Sequence, residues 1–241
     1  MARFVLFIVV VAWTASADAQ LRATGRYRLE DVREQCIILS QVKIGPRGSE
    51  HDAARCRVSS FVAFGAVGDT LYYRALYCLT PHWHAHAEHG GCDQHGSRAL
   101  AIFVGARESD TAQLLLERAT PDVGVLRYGE PAIDTNRDGT ILHVNIAVDG
   151  TGVGNESEYY LLRDGAWHPI DAHGWLKDLG SQIPSGREIW KGVWPDLKTM
   201  TAQIALYQRG DANCCPTGGT LRVALEIRAN SFVVRSLRYE P

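Results

Sequence analysis

Two runs of alternating apolar residues near the C-terminus flank a loop that contains the adjacent cysteines Cys214 and Cys215. The alternating positions are Met200, Ala202, Ile204 and Leu206 before the loop, and Leu221, Val223, Leu225 and Ile227 after it. Because successive side chains of a strand point to opposite faces, each run predicts a strand with one buried face. A third such run, 232–239, follows Ala229-Asn230, so this region is predicted to be a three-stranded antiparallel meander.

Similar patterns recur along most of the chain. Hairpins are expected over 58–79 and 99–117, and Asp164-Gly165 is expected to turn a third hairpin. Short helices are expected from Leu29 to Gln35 and after Asp171, where apolar residues recur at helical spacing. The predicted fold is therefore mostly β, with antiparallel hairpins and meanders in two associated sheet modules and one or two short helices.

Pro121 to Glu130 is interpreted as a connector with one strand, Gly124 to Tyr128, which suggests a boundary between two modules near residue 130. The N-terminal module would span 20–130 and contain most of the cysteines and a histidine-rich loop. The C-terminal module would span 131–241 and contain a short helix and the Cys-Cys hairpin. The chain has 25 basic and 27 acidic residues and a net charge of −2, a balance that argues against nucleic acid as a partner. The sequence identifies no other partner.

The first 19 residues have the features of a signal peptide. Arg3 supplies a positive start, Phe4 to Trp13 is an apolar run, and Ala17-Asp18-Ala19 offers a cleavage site. Cleavage after Ala19 would give an exported protein without stable membrane insertion, since no later run is long enough to span a bilayer. An uncleaved membrane anchor is the alternative.

Six cysteines, an even number in an exported chain, predict three disulfides. They are Cys36, Cys56, Cys78, Cys92, Cys214 and Cys215. Sequence alone does not choose among the 15 possible pairings. A local set would join Cys36 to Cys56, Cys78 to Cys92 and Cys214 to Cys215, but each adjacent cysteine could equally reach a distant partner.

The loop Asp211-Ala212-Asn213-Cys214-Cys215-Pro216-Thr217-Gly218-Gly219 resembles one that recurs at the C-terminus of a group of uncharacterised bacterial secreted proteins. Upstream segments extend the resemblance over roughly the second half of the chain: Gly152 to Asn155, Trp167, Trp175, Pro184-Ser185-Gly186 and Trp190-Lys191-Gly192. The resemblance implies a protein of the bacterial periplasm or extracellular space with no assigned activity. It also implies a bond between Cys214 and Cys215.

A histidine-rich stretch is the main candidate site for chemistry. His82, His84, His86 and His89 fall within eight residues, and alternate positions of an extended segment share a face. Neutral imidazoles at this spacing suit zinc or copper. The alternative is a solvated polar loop without a fixed site.

The segment His84-Ala85-His86-Ala87-Glu88-His89 resembles the His-x-His-x-Asp-His motif of metallo-β-lactamase-fold hydrolases. The resemblance implies a zinc-dependent hydrolase in which His84, His86 and His89 hold the metal. This chain departs from the family pattern because Glu88 replaces the aspartate, no amphipathic helix follows, and no Gly-His-Thr segment lies downstream. His143 and His168 lie at possible distances for a later ligand.

A second, weaker pattern suggests calcium. Asp134, Asn136 and Asp138 alternate ahead of Gly139, as at the start of a calcium loop. The twelfth position, which is a bidentate glutamate in an EF-hand, is Asn145. An Asx-rich hairpin turn is the commoner cause of such a run.

The chain contains neither a Gly-x-Ser-x-Gly elbow nor a phosphate-binding loop, and its cysteines are all expected in disulfides. No catalytic residue is therefore assigned. Four tryptophans, Trp167, Trp175, Trp190 and Trp194, could be core residues or a sugar-stacking platform. The sequence favours an exported, non-enzymatic protein that binds a divalent metal through the histidine-rich loop, with the zinc-dependent hydrolase as the alternative.

Overall fold

The computed structural model describes residue 21 and residues 24–36, 55–80, 99–119, 126–148 and 154–241. Within these ranges the chain forms strands and two short helices. The strands are β1 (Thr24–Arg28), β2 (Arg55–Val67), β3 (Thr70–Thr80), β4 (Ala99–Ala106), β5 (Thr111–Ala119), β6 (Leu126–Tyr128), β7 (Ala132–Asn136), β8 (Gly139–Val144), β9 (Ile146–Val148), β10 (Glu158–Arg163), β11 (Ala166–Ile170), β12 (Arg187–Glu188), β13 (Thr201–Ala205), β14 (Tyr207–Gln208), β15 (Thr220–Arg228) and β16 (Ser231–Glu240). The helices are α1 (Leu29–Glu34) and α2 (Gly174–Asp178).

The strands pair antiparallel, which confirms the predicted fold class. A five-stranded sheet has the order β1-β5-β4-β3-β2, a four-stranded sheet has the order β11-β10-β8-β7, and a three-stranded sheet has the order β13-β15-β16. Two small pairs, β12-β14 and β6-β9, complete the described sheets. Within the described part of the chain, no helix combines the length and the apolar character needed to cross a membrane.

The four-stranded sheet contributes side chains to two separate cores. Leu142 and Tyr160 pack in one cluster with Leu100 and Ile102 of the five-stranded sheet. The neighbouring residues, which point the other way, pack in a second cluster with the three-stranded sheet. They are Ile141, Tyr159, Leu161 and Ile170, against Ile204, Val223, Leu225 and Phe232. Burial on both faces explains the continuous apolar run from Tyr159 to Leu162, because neither face needs polar side chains.

A third core covers the other face of the five-stranded sheet. It contains Tyr73, Ala75, Tyr77, Ala101 and Phe103, together with Val32 of α1. Helix α1 is only six residues long, so its stability comes from burying Val32 rather than from helix propensity. The position of α1 confirms the predicted helix at Leu29 to Gln35.

Tight turns join most neighbouring strands. Gly68 has φ +56°, and Asp164 and Gly165 have φ +49° and +75°, which suits two-residue hairpin loops that follow the right-handed twist of the strands. Ala229 and Asn230 make the same kind of turn between β15 and β16 with φ +47° and +59°. These turns confirm the predicted hairpins and the C-terminal meander.

Three elements differ from the expected patterns. Leu142, Val144, Ile146 and Val148 alternate as in a single strand, but two strands form, because β8 pairs with β10 whereas β9 turns away after Asn145 to pair with β6. The run before the cysteine loop forms β13 over its central residues, and the chain then leaves the three-stranded sheet, since β14 pairs with β12. Helix α2 begins at Gly174, and the Asp171 carboxylate accepts hydrogen bonds from the backbone N–H groups of His173 and Gly174.

Candidate functional site

The histidines of the predicted metal site, His82, His84, His86 and His89, lie outside the described residues. The strands on either side are described. Tyr77 of β3 is opposite Ala99 of β4, so the segment 81–98 leaves and re-enters the five-stranded sheet on neighbouring strands. Cys78, near the end of β3, is disulfide-bonded, and so is Cys36. The side chains of Cys56 and Cys92 lie outside the described residues, as do the partners of these two bonds.

The second predicted metal site is a tight hairpin turn between β7 and β8. The side-chain oxygen of Asn136 accepts a hydrogen bond from the Asp138 backbone N–H at 2.7 Å, which is an Asx turn. The Asn136 amide nitrogen donates to the Leu197 carbonyl at 2.6 Å, and Arg137 donates to the Leu225 carbonyl at 3.0 Å. Two of the turn residues therefore fix the hairpin to the C-terminal part of the protein.

The described residues contain no cluster of side chains that could bind a metal ion. No group of three or more His, Cys, Asp or Glu side chains there is close enough together to hold a metal ion. The Asp134 charge acts on His143, whose ring stacks on the Tyr159 ring at a centroid distance of 4.7 Å. The calcium interpretation of Asp134, Asn136 and Asp138 gains no support from these contacts.

The loop after β14 carries an exposed disulfide between Cys214 and Cys215, the pairing that the resemblance implies. The Asp211 carboxylate fixes the loop, because it accepts from the backbone N–H groups of Gln208 and Thr217 and from the Thr217 hydroxyl. These hydrogen bonds, led by that of the Thr217 hydroxyl, lower the pKa of Asp211. The loop is thus held by an ionised side chain as well as by its disulfide.

Two of the four tryptophans singled out in the sequence are core residues. Trp167 and Trp175 are 3% and 1% exposed, whereas Trp190 and Trp194 are 41% and 39% exposed. Trp190 stacks on Tyr207 at 4.4 Å, and the Tyr207 hydroxyl donates to the Asn213 carbonyl at 2.8 Å. Trp190 therefore borders the cysteine loop, and a platform of all four tryptophans does not exist.

Segments that carry the resemblance to the secreted proteins contact one another. Asn155 donates to the Val193 carbonyl at 2.6 Å and accepts from the Ser157 N–H at 2.8 Å. A Cβ atom at Gly192 would lie 2.8 Å from the Gly154 carbonyl carbon, so the close approach of these two chains requires glycine. These motif residues therefore have a structural role where the two segments meet.

A polar cluster that the sequence did not suggest joins β5 to β10. Arg118 donates through Nε and Nη2 to the two carboxylate oxygens of Glu158 at 2.7 and 2.8 Å, and Nη2 also donates to the Tyr160 hydroxyl at 2.9 Å. The Tyr160 hydroxyl in turn donates to Glu158. Burial, reinforced by the Glu158 charge, raises the pKa of Tyr160, which keeps it protonated. No sequence signal connects residues 40 positions apart in this way.

Arg74 is the second polar residue that the sequence did not suggest. Its side chain is 7% exposed, and Nη2 donates to Oε1 of Glu130 at 2.5 Å. Its other two nitrogens, Nε and Nη1, are buried without a hydrogen-bond partner in the described structure. The Glu130 side chain is 78% exposed. A buried guanidinium paired with one exposed carboxylate is unusual, because buried charges are normally fully hydrogen-bonded.

No protein-family model, curated protein or solved structure matches the chain. What the protein does must therefore be inferred from its own residues and contacts.

Proposed function

We propose that the protein is an exported binding protein that holds zinc or copper through His82, His84, His86 and His89 without catalysing a reaction. The supporting observation is that the segment carrying these histidines starts and ends on β3 and β4, two directly paired strands. A loop whose ends are already held together loses less conformational entropy when it closes around an ion than a free chain does.

The chemistry of the segment agrees with this assignment. Four imidazoles within eight residues are enough for a tetrahedral or tetragonal site. The disulfide at Cys78 adds a covalent restraint close to one end of the segment. Because imidazole binds metal only when neutral, the affinity should depend on pH.

Export to the periplasm or extracellular space is part of the proposal. The N-terminal apolar run and Ala17-Asp18-Ala19 support removal of residues 1–19 as a signal peptide. Leu21, the second residue after that cleavage site, donates its N–H to the Trp167 carbonyl at 2.9 Å and packs in a core. Disulfides at Cys36, Cys78 and Cys214–Cys215 also suit an oxidising compartment. The resemblance to bacterial secreted proteins points to the same location.

The resemblance to metallo-β-lactamase-fold hydrolases implies a later ligand downstream of the three histidines. His143, one of the two downstream candidates, lies on β8 with its ring stacked on Tyr159 in the core shared with the three-stranded sheet. The five-stranded sheet, from which the histidine segment emerges, packs on the opposite face of β8. This arrangement favours binding without catalysis.

A calorimetric titration with zinc and with copper at pH 7.5 tests the proposal. The variant His84→Ala/His86→Ala should lose most of the binding heat, because it removes two of four ligands. The matched control His168→Ala/His173→Ala removes two histidines from β11 and the segment before α2 and should bind as the wild type does. Equal loss in both variants, or zinc-dependent hydrolysis of an ester or lactam substrate, would contradict the proposal.

A further inference from the structure

Two buried or half-buried arginines in this protein have very different surroundings. Arg118, which is 35% exposed, uses all three guanidinium nitrogens: Nε and Nη2 on Glu158, and Nη1 on the Glu117 carbonyl. Arg74 is 7% exposed and uses only Nη2. The more deeply buried charge is thus the less satisfied one, which is the reverse of what a purely structural arginine requires.

The carboxylate that pairs with Arg74 can leave without disturbing the backbone. Gly129 donates its N–H to the Asn145 carbonyl at 2.9 Å, and Pro131 fixes the next φ angle, so the backbone on both sides of Glu130 is held. The Glu130 side chain itself is 78% exposed. Its carboxylate can rotate into water, but its departure leaves the buried Arg74 charge without a partner, so Glu130 is expected to leave only when another anion takes its place.

The surface beside Arg74 is apolar. Val62 is directly opposite Arg74 in the pairing of β2 with β3, so the two side chains project from the same face of the sheet as neighbours. Val62 is 41% exposed, one of few large apolar side chains exposed in the described structure. Tyr72 and Leu76, two positions along β3 on either side of Arg74, are buried on the same face. A ligand that reaches Arg74 would therefore have apolar contacts on its way in.

We propose that Arg74 and Val62 form a binding site for a small carboxylate carried on an apolar group, and that Glu130 occupies the guanidinium when no ligand is bound. The planar guanidinium presents paired N–H donors that match a carboxylate, and Nε and Nη2 form one such edge. Glu130 uses only one donor of that edge. A ligand carboxylate that takes both donors replaces one charge-assisted hydrogen bond by two, while its apolar part covers Val62.

This site is independent of the proposed metal loop. Arg74 lies near the middle of β3, and none of its described contacts involves a histidine. An imidazole-bound metal is a cation, whereas Arg74 attracts an anion. Loss of one activity therefore leaves the other testable in the same protein.

Titration of the full-length exported protein with sodium butyrate tests the site, with sodium formate and sodium chloride at equal ionic strength as controls. Saturable butyrate binding, measured by calorimetry and by the rise in thermal unfolding temperature, is expected. Formate should bind more weakly because it lacks the apolar group, and chloride should give no saturable effect. A response that is equal for all three salts would overturn the proposal.

Four variants sharpen the test. Glu130→Gln removes the internal competitor and should lower the Kd for butyrate about tenfold, the change expected when one charge-assisted hydrogen bond no longer competes. Glu108→Gln, which removes an exposed carboxylate in the β4–β5 turn, should leave the Kd unchanged. Val62→Ser should weaken butyrate but not formate binding, and Arg74→Gln should abolish both.

The comparison of Glu130→Gln with Glu108→Gln tests the proposed carboxylate site even if Arg74→Gln does not fold. An equal Kd in these two variants, or no butyrate binding to Glu130→Gln, would show that Arg74 is satisfied by water alone and would overturn the proposal.

Discussion

The buried side chain of His143 makes the stability of the folded protein depend on pH. Its ring lies flat on Tyr159, with 5° between the planes, and its Nε2 is buried without a partner in the described structure. Burial lowers the pKa of His143 to about 4, and the nearby Asp134 carboxylate opposes this only in part. The folded state therefore keeps this histidine neutral at pH values where an unfolded chain already binds a proton.

The first prediction concerns acid stability. Because the folded pKa lies below the unfolded value, stability is full above about pH 6.5 and falls as the pH drops towards 4. His143→Phe keeps the aromatic stack and removes the titration. Between pH 7 and pH 4.5, the wild type should lose on the order of 2 kcal/mol more unfolding free energy than this variant. Urea denaturation at both pH values measures the difference, and His173→Phe, an exposed site, is the control.

The outcome that would contradict this reasoning is an equal loss of stability in the wild type and in His143→Phe. It would mean that His143 has the same pKa in the folded and in the unfolded protein.

The second prediction concerns the contact between Gly154 and Gly192. A Cβ at position 192 would come closest to the Asn155 backbone nitrogen and would lie 2.8 Å from the Gly154 carbonyl carbon, and these backbone atoms cannot move aside easily. Gly192→Ala should therefore lower the unfolding free energy by about 2 kcal/mol, as overpacked sites do. At Gly180 the nearest such contact is 3.4 Å, so Gly180→Ala is the control and should change stability little. Equal stability of the two variants would contradict the role assigned to this close approach.

At the scale of elements, local sequence patterns are sufficient to predict the hairpins. They are not sufficient to predict which distant strands pair with one another. Alternation and turn residues predicted β2–β3, β4–β5 and β10–β11, because each pair is contiguous in sequence and its turn chemistry is local. Nothing local marks Asn145 as the point where the chain leaves β10 for β6, or Tyr207 as the start of a strand that pairs with β12. Both pairings involve strands that are distant in the sequence, so local patterns do not predict them.

The same limit applies to the candidate sites. The Asx turn at Asn136 is a local motif and was one of the two expected explanations. Arg74–Glu130 and Arg118–Glu158 join residues 56 and 40 positions apart, and isolated charges in alternating strands give no hint of their partners. The histidine segment was visible from composition alone, but its attachment to two paired strands required the structure.

The third prediction concerns the oxidation state of the cysteines. Cys36, Cys78, Cys214 and Cys215 are all in disulfides in the described structure. Alkylation of the protein under denaturing, non-reducing conditions should therefore add no mass. Mass spectrometry after reduction and alkylation supplies the control, since all six thiols should then be labelled. Labelling of Cys214 and Cys215 before reduction would contradict the vicinal bond.

At the scale of the whole molecule, the two faces of the four-stranded sheet are buried in two different hydrophobic cores. Ile141 and Leu142, neighbours on β8, are both fully buried but on opposite faces, one towards each outer sheet. The expected modules 20–130 and 131–241 therefore share side-chain packing, and the division between them stays a prediction. Shared packing couples the unfolding of the outer sheets.

The fourth prediction follows from this coupling. Ile141→Ala and Leu142→Ala should each lower the unfolding free energy by about 2–5 kcal/mol, because each leaves a cavity in a core. Each variant should still unfold in one transition, with circular dichroism and tryptophan fluorescence coinciding. Two separate transitions, with only one shifted by each variant, would show that the cores unfold independently.

Metal binding by the histidine segment is the central claim, and the pH dependence of zinc and copper affinity tests it most directly. Ligand imidazoles with an ordinary pKa near 6.5 must lose their protons to bind, so the affinity should be measurable at pH 7.5 and fall at least about tenfold at pH 5.5. Calorimetry on the protein without an affinity tag, at both pH values, measures this affinity. Absence of binding at pH 7.5, or an affinity that is the same at pH 5.5, would contradict the claim that His82, His84, His86 and His89 hold the metal.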